Sequence, residues 1–344
     1  MNHGYHVNWI NVAKTCAMGG VLIEHVNGIF YSDQKIYRST WYCVALFVFL
    51  TGYGIMESWE RNQKIFVKKR LLKISAAYLI ATIFYILLKD GFLDFGELIY
   101  YLLHFNASGP FYYVWVYMQL IMISPILVCV ILWVNKGKSN FARHILVLLS
   151  IMCICFYTSN YTKISDIPCG GGYFLGGPWL FLWYLGMAFQ SRLYTYIRKE
   201  PSKIIFWLSL LLLILWEYIF VVKNWAYQFP SIFHSQQLGT NWADILQMVL
   251  LVVMIKEGTG LTERKNNFFA KLFIDVGNFI GERTLYIFLY HMFFLQVAKL
   301  LIPCSLMWTK RIIWGGIMLG GPIALGYVFE VIEKWYKLSG VTVD

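Results

Sequence analysis

Ten apolar runs, each near the ~20 residues a helix needs to cross a bilayer, recur along this chain of 344 residues. They fall at 8–28, 40–58, 71–88, 111–134, 144–160, 178–191, 204–222, 241–256, 284–303 and 311–331. Their number leaves little room for a water-soluble fold, and the charge content agrees. A soluble domain carries about 25% charged residues, whereas this chain has 14% against 59% hydrophobic. It lacks the polar surface to cover a water-facing exterior without large apolar patches. The expected fold is an all-α integral membrane protein of about ten transmembrane helices. No repeat or low-complexity tract divides it, so residues 1–344 read as a single membrane domain. The first run holds Lys14 and His25 and has neither a basic leading region nor a small-residue cleavage site, so no cleavable signal peptide is expected.

Two further stretches read as interfacial helices. In 92–105, Phe95, Leu98, Ile99, Leu102 and Leu103 recur at helical spacing and make one apolar face. Residues 272–283 read similarly. In the tenth run, Gly316-Ile-Met-Leu-Gly320 has the spacing that lets helices approach closely, and Pro322 predicts a kink.

Lysine and arginine test this segmentation independently, because they concentrate in cytoplasmic loops. One side collects Arg61, Lys64, Lys68, Lys69, Arg70 and Lys73, then Lys136, Lys138 and Arg143, then Arg192, Arg198, Lys199 and Lys203. Lys256, Arg264, Lys265, Lys271, Arg283, Lys334 and Lys337 complete that side at 20 basic residues. The opposite loops hold 7: Lys35, Arg38, Lys89, Lys163, Lys223, Lys310 and Arg311. The bias alternates with each crossing and predicts that both termini are cytoplasmic. The net charge of +11 then fits anionic lipid and a cytoplasmic anionic ligand, with no nucleic acid required.

The seven cysteines show no metal-binding spacing, and no metal is expected. Cys16, Cys43, Cys129, Cys153 and Cys155 fall in spans, where cysteine behaves as a small hydrophobe. Cys169 and Cys304 fall in outer loops, which leaves a disulfide between them open. Cys169-Gly-Gly-Gly has no accompanying P-loop lysine or serine.

Ionisable residues inside a span are functional candidates, because the membrane makes them costly. Lys14 and His25 lie eleven residues apart in the first span. At ~100° and 1.5 Å per residue they share one face, about 16 Å apart along the axis, with Met18 and Val21 between them. An imidazole there suits a general base for a hydroxyl nucleophile. The alternative is a histidine bonded between helices and a lysine reaching to the interface. His291 falls in mid-span in the ninth run, either as a site wall or as a helix-to-helix hydrogen bond. Glu24 lies ~100° around the helix from His25 and is expected to meet a cation on a neighbouring helix. Glu217 and Asp244 lie toward the outer side, where a carboxylate serves either to bind sugar hydroxyls or to orient His25; an interfacial anchor is the other reading of Glu217. Tyr112, Tyr113, Trp115, Trp225, Tyr227 and Phe229 suit either sugar stacking or an interfacial aromatic belt.

Asn11-Val-Ala-Lys14 followed by Glu24-His25 resembles the amino-terminal motif of the membrane acyltransferase 3 family, in which a basic residue precedes a histidine by eleven positions. The similarity continues in order. Phe47-Val-Phe-Leu-Thr-Gly52-Tyr53 resembles the family's Phe-rich Ser-Gly-Tyr motif, and Lys69-Arg70-Leu-Leu-Lys73 its Arg-Arg-x-x-Arg motif. Tyr113 through Gln119 to Pro125 is similar to its Tyr-x-Gln-Leu…Pro segment, and Trp183-Tyr-Leu-Gly186 to a short sixth-span motif. Gly281-Glu-Arg-Thr284-Leu-Tyr-Ile-Phe-Leu-Tyr-His291 resembles its late Gly-x-x-Ser-x-x-Ile-x-Leu-x-His signature. The chain departs from the pattern with Asn at 11 and Lys at 14, 69 and 73. Lysine keeps the charge but lacks arginine's bidentate fork. No hydrolase-like soluble domain is read after the last span.

The resemblance implies transfer of an acyl group, usually acetyl from acetyl-CoA, to a hydroxyl of a cell-surface carbohydrate or lipid-linked sugar at the cell membrane. It implies Lys69, Arg70 and Lys73 at the CoA phosphates, Lys14 along the thioester arm, and His25 as general base or transient acyl carrier. Glu24, Glu217, Asp244 and His291 are the candidates for acceptor binding. Homo-oligomers are left open. The second function class is a transporter of a sugar-containing or acylated molecule, although the repeated halves typical of transporters are not seen.

Overall fold

In a computed structural model, residues 3–61, 66–136, 140–160, 177–193, 200–223, 242–265, 267–302 and 307–338 are described. Among them no strand occurs; the chain is an all-α membrane protein. The helices are α1 (His3–Phe30), α2 (Gln34–Thr40), α3 (Tyr42–Arg61), α4 (Phe66–Asp90), α5 (Phe95–His104), α6 (Tyr112–Asn135) and α7 (Asn140–Asn160). They continue with α8 (Leu180–Ala188), α9 (Lys203–Trp216), α10 (Trp242–Lys265), α11 (Phe268–Glu282), α12 (Thr284–Leu301) and α13 (Met307–Leu338). A turn of 3-10 helix (Gly177–Trp179) precedes α8, and π-helical segments (Phe189–Leu193, Glu217–Val222) extend α8 and α9.

Each of the ten apolar runs coincides with a helix. Among the described residues, eight helical stretches are long and apolar enough to cross a membrane, such as Val67–Asp90, Gly109–Asn135 and Lys203–Val222. The runs at 8–28 and 178–191 are not among the eight. The first carries polar and charged side chains along its length; the second is short. Their surroundings account for this. Leu180, Phe181, Leu182, Trp183, Tyr184, Gly186 and Met187 of α8 are all buried by protein, so this helix has little lipid to match. In α1, Trp9, Val12, Ala13, Ala17, Met18 and Val21 are buried as well. By contrast α9 turns Ile204, Trp207, Leu208, Leu211 and Ile214 outward, which is the composition that lipid demands.

Polar caps begin the shorter helices. Asp33 accepts from the Lys35 N–H ahead of α2, Asp94 from Glu97 N ahead of α5, Ser202 from Ile205 N ahead of α9 and Asn267 from Ala270 N ahead of α11. Helices α5 and α11 are amphipathic, as read from 92–105 and 272–283. In α11, Ala270, Ile274, Gly277 and Gly281 face inward while Phe268, Phe269, Leu272, Phe273, Val276 and Phe279 face out. Its inner face lies directly on α1, held by more than apolar contact. Thr15 donates to the Gly277 carbonyl at 2.8 Å, Asn11 to Asn278 at 3.1 Å and Asn278 to Asn8 at 2.7 Å. Asn8 in turn donates to Glu263 of α10 at 2.7 Å.

Helices α1 and α3 form the centre. α1 packs on α2, α3, α10, α11, α12 and α13, and α3 on α1, α4, α6, α8 and α10. Glycine makes the α3–α8 approach close: a Cβ on Gly52 would meet the Trp183 carbonyl oxygen at 2.2 Å, and one on Gly186 the Phe49 carbonyl oxygen at 2.1 Å. The Gly316/Gly320 pair does not behave as expected. Nothing lies within 4 Å of a Cβ placed at either position, whereas one at Gly321 would meet Phe294 and one at Gly326 Tyr286. The α12–α13 contact therefore uses the face offset from the GxxxG spacing. Helix α13 runs on through Pro322.

Candidate functional site

Helix α1 carries two ionisable groups eleven residues apart, Lys14 near its middle and His25 in its C-terminal half. Around Lys14 it feels the charges at the start of α4. Lys14 is half-buried and lies within the electrostatic reach of Arg70 and Lys73, opposed by Glu57 and Glu282. Arg70 is half-buried, and its Nη2 donates to the Gly54 carbonyl at 2.8 Å and to Ser58 Oγ at 2.7 Å. Both hydrogens of that nitrogen are thus committed to α3. The Nη1 and Nε donors have no partner among the described residues, so the guanidinium is anchored on one edge with the other edge uncommitted. Lys69 and Lys73 are exposed. This arrangement is a mixed-charge site: three cations gathered around α1 with two carboxylates to limit their repulsion. The α4 spacing indicated the cations; Glu57, Ser58 and Glu282 carried no comparable signal.

In the C-terminal half of α1, His25 meets His291 of α12, with ring centroids 4.9 Å apart and planes inclined by 41°. Phe288 flanks His291 at 6.2 Å, and Tyr113 and Phe47 pack on Phe288 at 5.3 Å and 6.5 Å. His291 is fully buried, and its Nδ1 lies 2.8 Å from the Phe288 carbonyl oxygen and 3.0 Å from that of Ile287. Carbonyls only accept, so Nδ1 holds the proton and, in the neutral ring, Nε2 presents a lone pair. That Nε2 is buried without a hydrogen-bond partner. The Nδ1 bonds are to carbonyls of α12 itself, three and four residues back, and not to a neighbouring helix; what His291 meets across the helix boundary is the ring of His25.

The three carboxylates Glu24, Glu217 and Asp244 converge on the start of α3. Glu24 and Asp244 act electrostatically on Cys43, whose thiol bonds with Tyr42, and Glu217 acts on Tyr42. Glu217 also accepts a hydrogen bond from Gln247, which donates to the Ser39 carbonyl too. Glu217 is thus half-buried and bonded within the helix packing. No ion pair joins Glu24 to a cation among the described residues; its neighbourhood is Cys43, packed so closely that a Cβ on Gly20 would overlap the Cys43 sulfur. The helix spacing gave the direction in which Glu24 projects but not what fills that side.

Several assignments fall elsewhere. Tyr113 and Trp115 are half-buried and pack on other rings, Tyr113 on Phe288 at 5.3 Å and Trp115 on Phe105 at 5.2 Å. Trp225, Tyr227, Phe229, Cys169 and Cys304 lie outside the described residues. Cys43 and Cys155 are buried, and Cys129 and Cys153 are exposed. Two cations counted toward the cytoplasmic loops are internal. Lys256 pairs with Glu257 at 3.0 Å, and Glu257 also accepts from the Ser202 N–H. Arg283 is buried over the Phe279 ring at 3.9 Å and pairs with Glu330 of α13. A further polar chain, not foreseen, links α7 to α6 and α8: His144 contacts Tyr184 Oη at 3.0 Å and Asn135 Oδ1 at 3.2 Å. Among the described residues no cluster of metal-ligating side chains occurs.

The comparisons fit this geometry. No curated protein and no solved structure matches the chain. The acyltransferase-3 family model, described as an acyltransferase domain, matches residues 7–331, a stretch that holds Lys14, His25, the α4 cations and His291. The chain belongs to this family of membrane acyltransferases.

Proposed function

We propose that the protein takes an acetyl group from acetyl-CoA on the cytoplasmic side and transfers it to a hydroxyl of a cell-surface carbohydrate or lipid-linked sugar. The carrying observation is that one helix, α1, presents Lys14 within electrostatic reach of Arg70 and Lys73 and, eleven residues on, His25 beside His291. In this reading Arg70, Lys73 and Lys69 receive the CoA phosphates, with the uncommitted edge of the Arg70 guanidinium making charge-assisted bonds. Lys14 lines the route of the thioester arm. His25 accepts the proton of the acceptor hydroxyl as its oxygen attacks the thioester carbonyl. Collapse of the tetrahedral intermediate breaks the C–S bond, and the proton passes to the departing thiolate, leaving ester and free CoA. Glu24, Glu217 and Asp244 bind acceptor hydroxyls. The alternation of basic loops supports cytoplasmic termini and a cell-membrane location.

The test is release of free CoA from acetyl-CoA by purified protein supplied with carbohydrate acceptors, together with acetyl-CoA binding. Wild type is expected to bind and turn over; Arg70→Ala to lose binding; His25→Ala to bind but lose transfer by roughly 10²–10⁴-fold. Protein that binds no short acyl-CoA would sink the proposal and leave transport as the working reading.

A further inference from the structure

The Nε2 of His291 is a buried polar atom without a hydrogen-bond partner among the described residues; it lies on the ring that faces the proposed catalytic imidazole, and the mechanism above does not use it. Three observations bear on it. The His291 side chain is 0% exposed, so water does not compensate its lone pair. Its tautomer is set by the Phe288 and Ile287 carbonyls at 2.8 Å and 3.0 Å, so Nε2 is an acceptor and not a donor. The ring centroid of His25 is 4.9 Å away. A ring nitrogen lies about 1.1 Å from its centroid, so an N–H···N bond of ~2.9 Å between two imidazoles spans about 5 Å between centroids.

We infer that His291 is a positioning residue for His25: its backbone-locked Nε2, unbonded in this structure though within reach of the His25 ring, receives the N–H of His25 during transfer and thereby directs the other His25 nitrogen, as a lone pair, toward the acceptor hydroxyl. The inference rests on His25 being the general base. The proton balance is closed. The acceptor O–H proton moves to the free His25 nitrogen, the second N–H of the resulting imidazolium stays on His25 in its bond to His291, and the gained proton leaves with the CoA thiolate. His291 exchanges no proton. It does for His25 what a carboxylate does for the histidine of a catalytic triad, namely hold one tautomer and orientation, but without placing a second charge in the membrane.

The two nitrogens of His291 allow positioning to be separated from structure. A glutamine side chain places its amide close to the Nε2 position, and an asparagine close to the Nδ1 position. His291→Leu, His291→Gln and His291→Asn are compared in the purified, detergent-solubilised protein for kcat, for KM of acetyl-CoA and for thermal unfolding. The expected result is that His291→Leu lowers kcat at least 100-fold with KM for acetyl-CoA within threefold of wild type. His291→Gln recovers tenfold or more of that loss, and His291→Asn does not. The inference is overturned if His291→Leu keeps kcat within threefold of wild type, or if His291→Gln recovers no more than His291→Asn does. If His291→Leu does not fold, the comparison of Gln with Asn decides alone: Gln above Asn by tenfold upholds the inference and any other order overturns it. Absence of turnover in wild type is a different failure, that of the acyltransferase reading itself, and shows before any variant is made.

Discussion

The carbonyl oxygen of Trp183 occupies the space where a side chain on residue 52 would begin: a Cβ on Gly52 would lie 2.2 Å from it. Gly186, one turn on from Trp183, has the same relation to Phe49, one turn back from Gly52. The two helices therefore touch backbone to backbone at two reciprocal points, and two motifs far apart in the chain turn out to be halves of one contact.

Gly52→Ala and Gly186→Ala are each expected to destabilise the protein by at least the ~1–3 kcal/mol typical of overpacking, because backbone cannot move aside as a side-chain tip can. Gly316→Ala meets nothing within 4 Å and is expected to be neutral or stabilising by about 0.5–1 kcal/mol. Thermal unfolding of the detergent-purified variants checks both, and equal melting temperatures for the three would contradict the packing described.

Ser58→Ala removes one of the two acceptors on Arg70 Nη2. A hydrogen bond to a charged group contributes about 1.5–3 kcal/mol, and its loss also frees the guanidinium to turn. Weaker acetyl-CoA binding by about tenfold is expected, intermediate between wild type and Arg70→Ala, with calorimetry as the readout. Binding unchanged from wild type would mean that the α3 anchor plays no part in presenting Arg70.

Glu330→Ala strands the buried Arg283 guanidinium, whose Nε already has no hydrogen-bond partner. Removing one member of a buried pair costs about 3–5 kcal/mol. The double variant Arg283→Met with Glu330→Leu is expected to regain most of that stability, since it leaves no charge behind. Unfolding curves for the single and double variants decide this, and a double variant no more stable than Glu330→Ala would argue against a desolvated pair.

Asn278→Leu breaks two links of the α1–α11 seam at once, the bond it accepts from Asn11 and the one it donates to Asn8. With Asn11 buried, a loss of about 1–3 kcal/mol is expected from the stranded amides. The seam lies on the Lys14 half of α1, so acetyl-CoA binding is expected to weaken with it. Limited proteolysis and binding measured together distinguish a local effect at the seam from global unfolding.

By itself the sequence determined the solvent, the helices and the candidates. Hydropathy over ~20 residues reports what each segment can be immersed in, and the spacing of Lys14 and His25 places them on one face because helix geometry is local. The six ordered motifs carried the family. What lay beyond reach was partnership. A periodic pattern says which face of a helix is buried, not which neighbour buries it, and helix pairs in this fold are chosen by contacts between residues distant in the chain. Only the tertiary structure set His291 beside His25, gave Arg70 its anchor on Ser58 and turned Glu24 toward Cys43 rather than toward a cation. It likewise drew Lys256 and Arg283 out of the basic-loop count into buried pairs and shifted the α13 contact from Gly316 and Gly320 to Gly321 and Gly326. Close packing and polar pairing depend on where backbones meet in three dimensions, and no one-dimensional spacing encodes that meeting.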